Sequence, residues 1–436
     1  MRQGIDYTPR RATELVCDAL QDTRIVVING ARQVGKSTLA ERVLCQIPNG
    51  VARFLDDPAT RTAAIEDPVR FIRHDGLMLI DEVQRVPDLW LAIKHLVDRE
   101  PRPGRFLLTG SARLLALRSI PDALPGRSET IELWPLSQGE IDGEPDGFVD
   151  AAFEQGPDLR GEPRGLRRKD YLARAVRGGY PEAVKRETPR RRQRFFEGYI
   201  ADLISRDIKQ VADIQRTGEM RRLIALLAAQ TGGLVNFNRL GSELSISTPT
   251  VRSYVEILET VYLVRLIPAW ATNTTTRAIA TPKVVFVDTG TAGYLTAGTN
   301  DDLFAGRLLE NFVLGEISRQ LTWSQTSARL YHYRDRDQNE IDGILENNAG
   351  EIIGIEVKAS ETVRSDDFRG MRILQRRLGS RFRAGFVLYC GQDSFSFGDG
   401  LTCLPISALW TTGTGWPQAA QDGIDRGSAG HRRMPD

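Results

Sequence analysis

The sequence predicts an α/β protein in three parts: an N-terminal domain built on a largely parallel sheet, a helical middle that closes in a winged-helix pattern, and a second α/β domain. Three observations predict it. Short apolar strands alternate with helical patterns from Thr23 to about Ser137, helical periodicity dominates from Arg167 to Trp270, and strands return after TNTTTR. At 436 residues the chain is too long for one ordinary core, so several domains are expected.

In the first part the strands are RIVVIN, VARFLD, GLMLID, RFLLTG and SETIELW, separated by segments such as STLAERVLCQ and LWLAIKHLVDR. This domain is assigned to residues 1–137. From Gln138 the text turns rich in Gly, Pro and Asp, as in DGEPDG and EQGPDLRGEP, and residues 138–166 read as a linker or long loop. Residues 167–275 form the helical region. Within it, LGSELSISTPTVRSYVEILETVYLVRLIPAW has the order of a winged helix-turn-helix, its second helix opened by Thr248 and Pro249. Residues 276–410 carry KVVFVD, ARLYHYR, EIDGILE, IIGIEVKA and GFVLYC around a helix at about Arg307 to Gln320. Residues 411–436 are Gly-rich and polar with little to bury, which predicts a disordered tail.

Composition removes some classes of function. Cys17, Cys45, Cys390 and Cys403 are scattered without a CxxC pair, and four dispersed histidines form no ligand cluster, which argues against zinc and a disulfide framework. No apolar run approaches the roughly 20 residues that span a bilayer, so a cytoplasmic location without a membrane partner is expected. Formal charge is +1, so any nucleic-acid signal must be local. Such a signal lies between Arg160 and Arg194, where thirteen Lys or Arg face four Asp or Glu. That excess suits DNA phosphates or, equally, a solvated helical face. The second helix of the winged pattern offers Arg252 and Ser253 but also Glu256 and Glu259, a poor set for a major groove and one that leaves a protein contact open.

The strongest motif is GARQVGKST, Gly30 to Thr38, just past the first strand and at the start of a helix. It fits GxxxxGK[ST]. Glycines Gly30 and Gly35 let the backbone of Ala31, Arg32, Gln33 and Val34 curl so that amides point at phosphate oxygens, and the following helix adds its dipole. A nucleoside triphosphate, ATP foremost, is the fitting guest. Lys36 would reach the β- and γ-phosphates, with Ser37 on Mg²⁺ and Thr38 in the first helical turn. GLMLIDEVQ supplies the second element: Asp81 would hold Mg²⁺, and Glu82 would orient and deprotonate the attacking water. Thr109 and Ser111, at the end of RFLLTGSARLL, could sense the γ-phosphate. Arg127, in PGRSET, could stabilise transition-state charge in its own or a neighbouring subunit, which leaves a homo-oligomer open.

RQVGKSTL, LDDPATR with DPVRFI, IDEVQRVPDLW, LLTGSARLL, GRSETIELWPLS, RGGYPEAV and YIADLISRDI together resemble the bacterial and archaeal AAA-type ATPases fused to a C-terminal domain of unknown function. The resemblance runs to about residue 410. It implies an ATPase core, a helical and winged-helix middle and a restriction-endonuclease-like C-terminal domain.

Within the C-terminal part, NNAG at Asn347 to Gly350 reads as a turn between two strands, which sets Asp342 and Glu356 on neighbouring strands and Lys358 on the face of Glu356. The two carboxylates could hold Mg²⁺ or Mn²⁺, which would polarise a phosphodiester and activate a water, while Lys358 could orient that water or stabilise the developing negative charge. The set resembles the PD-(D/E)xK nucleases. That resemblance also implies an acid on the preceding helix, and Glu310 matches it. The sequence therefore leaves two readings: an ATP-regulated nuclease that contacts DNA, or a nucleotide-controlled regulator whose C-terminal domain holds a protein or DNA partner without cutting.

Overall fold

The computed structural model describes residues 7–110, 125–211, 217–273, 277, 280–297 and 301–413. Five strands, β1 (Ile25–Asn29), β2 (Val51–Phe54), β3 (Met78–Asp81), β4 (Phe106–Gly110) and β5 (Ser128–Glu132), form one parallel sheet in the order β2-β3-β4-β1-β5. Each expected N-terminal strand finds its place there. The pleat explains why RIVVIN is apolar throughout: Ile25 and Val27 pack under the helix Leu89–Arg99, while Val26 and Ile28 face the opposite core.

The span 138–166 is not a loop. Ser137 caps the helix Gln138–Asp142 with a reciprocal capping box to Glu140, and a second helix follows at Phe148–Gln155. Phe148, Val149, Ala151, Ala152 and Phe153 are all buried. The Gly, Pro and Asp residues punctuate the helix ends, and the short apolar run FVDAAF between them carries the packing.

The middle contains the helices Arg168–Arg177, Pro189–Asp202, Thr217–Ala229, Phe237–Leu244 and Thr248–Thr260. Pro189–Asp202 continues into a wide turn at Leu203–Asp207. The last two helices lead into β6 (Val264–Ile267), which pairs antiparallel with β7 (Lys283–Phe286). Sequence pattern had assigned KVVFVD to the C-terminal sheet. Instead it completes a two-stranded sheet with the middle, because β6 and the backbone of Gly232 and Gly233 supply its hydrogen bonds.

The C-terminal sheet has six strands in the order β12-β13-β11-β10-β9-β8: β8 (Ala328–Arg334), β9 (Glu340–Asn347), β10 (Ile352–Lys358), β11 (Phe382–Tyr389), β12 (Phe395–Ser396) and β13 (Leu401–Pro405). Strands β8 to β10 form an antiparallel meander, and β10, β11 and β13 run parallel. The helix Asp302–Gln320 covers one face and Arg369–Leu378 the other. One continuous core joins the parts, from Val26 and Ile28 through Phe148, Tyr199 and Leu258 to Phe312, Phe386 and Trp410. Thr411 closes the helix Ala408–Thr411, and Gly147 donates its N–H to the carbonyl of Thr412, so the chain is packed through that point. Residues 414–436 of the expected tail lie outside the described residues. Among the described residues no helix is long and apolar enough to cross a membrane.

Candidate nucleotide site and C-terminal acid cluster

Sheet order positions the first site. With β4 between β1 and β3, the loop after β1, Thr109 on β4 and Asp81 on β3 meet at the carboxyl ends of the strands, where parallel α/β sheets leave a crevice. Gly30 is required by close approach: a Cβ there would lie 2.1 Å from the carbonyl oxygen of Leu133. Gly35, at φ 96°, holds the left-handed turn that starts the helix Lys36–Leu44.

Lys36 is 5% exposed, and its ammonium donates to the loop's own carbonyls, Gly30 at 3.0 Å and Ala31 at 2.8 Å. Burial lowers its pKa, opposed by the charges of Glu82 and Asp81. A cation resting on neutral carbonyls in a dry site exchanges them readily for phosphate oxygens, which bind it more strongly. Ser37 donates to Asp81 Oδ1 at 2.7 Å, and Thr109 donates to the same oxygen at 2.5 Å. Thr109 in turn accepts the backbone N–H of Glu82 at 3.0 Å. Thr109 is thus joined to both members of the acid pair. Glu82 sits at φ 56°, a left-handed conformation unfavourable for a non-glycine residue, and its carboxylate accepts from Gln84.

These groups fit a magnesium nucleotide. Ser37 and Asp81 offer the hard oxygen donors that Mg²⁺ takes, Lys36 offers the phosphate partner, and Asn29 Oδ1 is buried beside the loop without a hydrogen-bond partner. When bound, the ion supplies charge neutralisation on the phosphates. Ser37 and Asp81 would hold that ion and Lys36 the phosphate oxygens, with Glu82 directly after β3 beside them.

Two further contacts tie the loop to the rest of the chain, and no sequence pattern pointed to either. Arg10, 6% exposed, donates to Val34 O at 2.7 Å and Trp134 O at 2.6 Å and pairs with Glu140 at 3.1 Å. Arg32 pairs at 3.4 Å with Asp207 in the wide turn. Burial raises the pKa of Asp207; Arg32 opposes that shift and the charge of Glu82 adds to it.

Arg127 is not brought to this site within its own chain. It precedes Ser128, which pairs with Ile25 at the opposite end of β1, and it forms a two-point ion pair with Asp98 at 2.5 and 2.9 Å. Four residues of strand, roughly 13 Å, separate that edge from the loop. Ser111 lies outside the described residues.

The second site forms as the hairpin spacing required: β9 and β10 pair antiparallel with Gly343 opposite Ile355, so Asp342 and Glu356 are neighbours, and Glu310 approaches from the helix Asp302–Gln320. Lys358 pairs with Glu356 at 3.0 Å and Asp367 at 3.6 Å. Yet the group that joins the acids is Lys283 of β7. Its ammonium is hydrogen-bonded to Glu310 and lies 3.2 Å from Asp342 Oδ1, while Asp342 Oδ2 accepts the Val357 N–H at 3.0 Å. Burial pushes Glu310 well above the carboxylate range, and burial with the Asp342 charge lifts Glu356 to about 8. Burial alone would depress Lys283, but Asp342 and Glu310 outweigh it and raise its pKa. Among the described residues no cluster of three His, Cys, Asp or Glu side chains is arranged to hold a metal ion. The expectation of Mg²⁺ or Mn²⁺ on Glu310, Asp342 and Glu356 does not fit, because an ammonium already bridges two of the three. The lysine was legible only through charge balance: buried carboxylates need a cation, and Lys283 heads an otherwise apolar strand.

The basic stretch is partly engaged by partners within the chain. Arg174 and Arg177 both donate to Gln138 at 3.0 Å, Arg174 pairs with Asp142 and Arg168 with Asp302. Arg190, Arg191 and Arg194 stay exposed on Pro189–Asp202, and Arg252 stacks on Phe237 at 4.2 Å.

Comparison with known proteins agrees on the first domain. Residues 22–142 match a family described as an AAA domain, residues 168–302 a domain of unknown function (DUF8612), and residues 305–409 another domain of unknown function (DUF4143). An uncharacterized protein of Mycobacterium tuberculosis is 28% identical over 402 residues, covering 91% of this chain and 83% of that protein. One from Haemophilus influenzae is 25% identical over 353 residues, covering 76% and 82%. Among solved structures, a Walker-type ATPase of Pyrococcus abyssi aligns with a TM-score of 0.38 at 14% identity over 66% of this chain and 96% of that one. DnaA from Aquifex aeolicus, bound to AMPPCP, aligns at 0.30 and 16% over 59% and 89%. Residues 22–142 are thus similar to the AAA domain family, and that match supports nucleotide binding at the loop.

Proposed function

We propose that the protein is a Mg²⁺-dependent ATPase whose nucleotide state is passed through the helical middle to the C-terminal α/β domain, with DNA as the partner read at the other end. The observation that carries the proposal is Lys36: a buried ammonium held, among the described residues, by the loop carbonyls of Gly30 and Ala31, beside the Ser37–Asp81–Thr109 network. Arg32 to Asp207 gives the route into the middle, since phosphate on the loop would compete for Arg32 and loosen the wide turn. Exposed Arg190, Arg191 and Arg194, on the middle helix Pro189–Asp202, would add phosphate contacts to those of the C-terminal domain, which supports sequence-tolerant binding. The meander with Asp342 facing Glu356 supports a nuclease-like ancestry for the C-terminal domain, and the two helices before β6 with the β6–β7 pair support a winged helix.

The regulator reading, in which the C-terminal domain holds its partner without cutting, is favoured over cleavage by the Lys283 bridge. ATP turnover by the full-length protein, measured in Mg²⁺ with and without duplex or branched DNA, tests the whole. Hydrolysis that DNA stimulates, with an effect that fades as salt rises, is expected. No hydrolysis under any condition refutes the ATPase, and turnover indifferent to DNA removes DNA as the partner.

A further inference from the structure

The C-terminal acid cluster carries its own cation. We propose that Lys283 stands where a divalent ion would lie between Glu310 and Asp342, so that this form of the protein excludes metal from the cluster and the C-terminal domain does not cut. The inference deepens the regulator reading of this domain and stands apart from the ATPase.

Four observations converge on it. The ammonium bonds to Glu310 and approaches Asp342 Oδ1 at 3.2 Å, filling the space between the helix and β9 that a shared ion would need. The lysine side chain is 3% exposed while Glu310, Asp342 and Glu356 are 14–17% exposed, so the cation forms the floor of a site whose acids are still reached from outside. Its backbone is pinned on both sides: Lys283 pairs with Ile267 of β6 and bridges Leu234, with Val235 N–H donating to Pro282 and the two amides of Gly232 and Val284 fixed nearby. The ammonium is therefore placed by the strand and needs little further ordering to stay. Finally, Lys358, the other candidate to orient a water, is paired with Glu356 and Asp367. A second cation entering here would meet Lys283 at contact distance in a region of low polarisability, where like charges repel strongly.

The test is direct titration of full-length protein with Mn²⁺ alone, without nucleotide, followed by calorimetry or by the loss of the free-ion paramagnetic resonance signal. Wild type and Asp342→Asn should bind the same amount of Mn²⁺. Lys283→Met, of similar length but neutral, should gain one Mn²⁺ at roughly tenfold or greater affinity over any wild-type background, and the double variant with Asp342→Asn should lose it again. Lys283→Arg, which keeps the charge, should gain none. A cooperative unfolding transition like that of the wild type reports whether each variant is folded. The proposal is overturned if Asp342→Asn removes a bound Mn²⁺ from the wild-type background, or if folded Lys283→Met takes up none. Should Lys283→Met fail to fold, the wild-type and Asp342→Asn pair decides alone.

Discussion

Each end of this molecule buries a lysine beside carboxylates, and the two lysines are in opposite states. Lys36 rests on the carbonyls of Gly30 and Ala31, with Asp81 and Glu82 near but bonded to Ser37, Thr109 and Gln84. Lys283 is bonded to the acids themselves. A lysine on neutral carbonyls gains when an anion arrives. One on carboxylates has its anions already and gains nothing. The same residue types thus make a waiting ligand site at one end and a closed ion pair at the other, and only the partner of the ammonium separates them.

The largest effect that would break this contrast belongs to Glu82. Glu82→Gln should keep ATP, since the loop and Lys36 are untouched, while turnover falls by about a thousandfold. Single-turnover hydrolysis beside equilibrium binding checks it, and undiminished turnover would make the N-terminal acids as inert as the C-terminal ones. Next comes Lys36→Ala, which removes the charge-assisted contact and should weaken ATP binding by about 3 kcal/mol, roughly a hundredfold, in a fluorescent-nucleotide titration. Unchanged affinity would mean that the carbonyl-bound ammonium is structural.

The smallest effect sharpens the other side of the contrast. His332, 2% exposed, donates from Nε2 to Thr281 O at 3.0 Å, and burial together with the fixed Lys283 charge pulls its pKa down to about 4. An unfolded imidazole titrates near 6.5, so below that pH the unfolded chain binds a proton that the folded chain refuses. The stability it leaves intact above pH 6.5 should drain away as pH falls towards 4, amounting to about 2 kcal/mol at pH 5. Denaturant unfolding of wild type against His332→Gln across this window isolates the term from the carboxylates. Parallel curves would show that no such neutral imidazole exists.

Much of this arrangement was legible in the sequence. The five N-terminal strands were visible because all-buried parallel strands read as unbroken apolar runs, and the loop motif fixed where phosphate chemistry would sit. The pairing of Asp342 with Glu356 followed from turn residues and a period of two. What escaped notice depends on contacts distant in sequence. Arg10 reaches residues about 24 to 130 positions away, and Lys283 meets acids 27 and 59 positions away. No local period encodes those distances. The helix Phe148–Gln155 was missed because its flanking glycines and prolines outweighed a short apolar core, and β7 was misplaced because pattern gives a strand its faces but not its neighbour.

That helix also governs how the molecule can be dissected. Asp146 and Gly147 donate their amides to the carbonyls of Trp410 and Thr412, and the rings of Phe148 and Phe386 meet edge to face at 5.7 Å, so the segment directly after the ATPase sheet is embedded in the far end of the chain. A boundary near residue 137 would leave the helix on its bed but cut Arg10 from Glu140 and Leu136 from Gly179, stranding a buried guanidinium on one fragment and a buried carboxylate on the other. Isolated fragments would report on their own instability, which makes single substitutions in the intact polypeptide the instrument of choice.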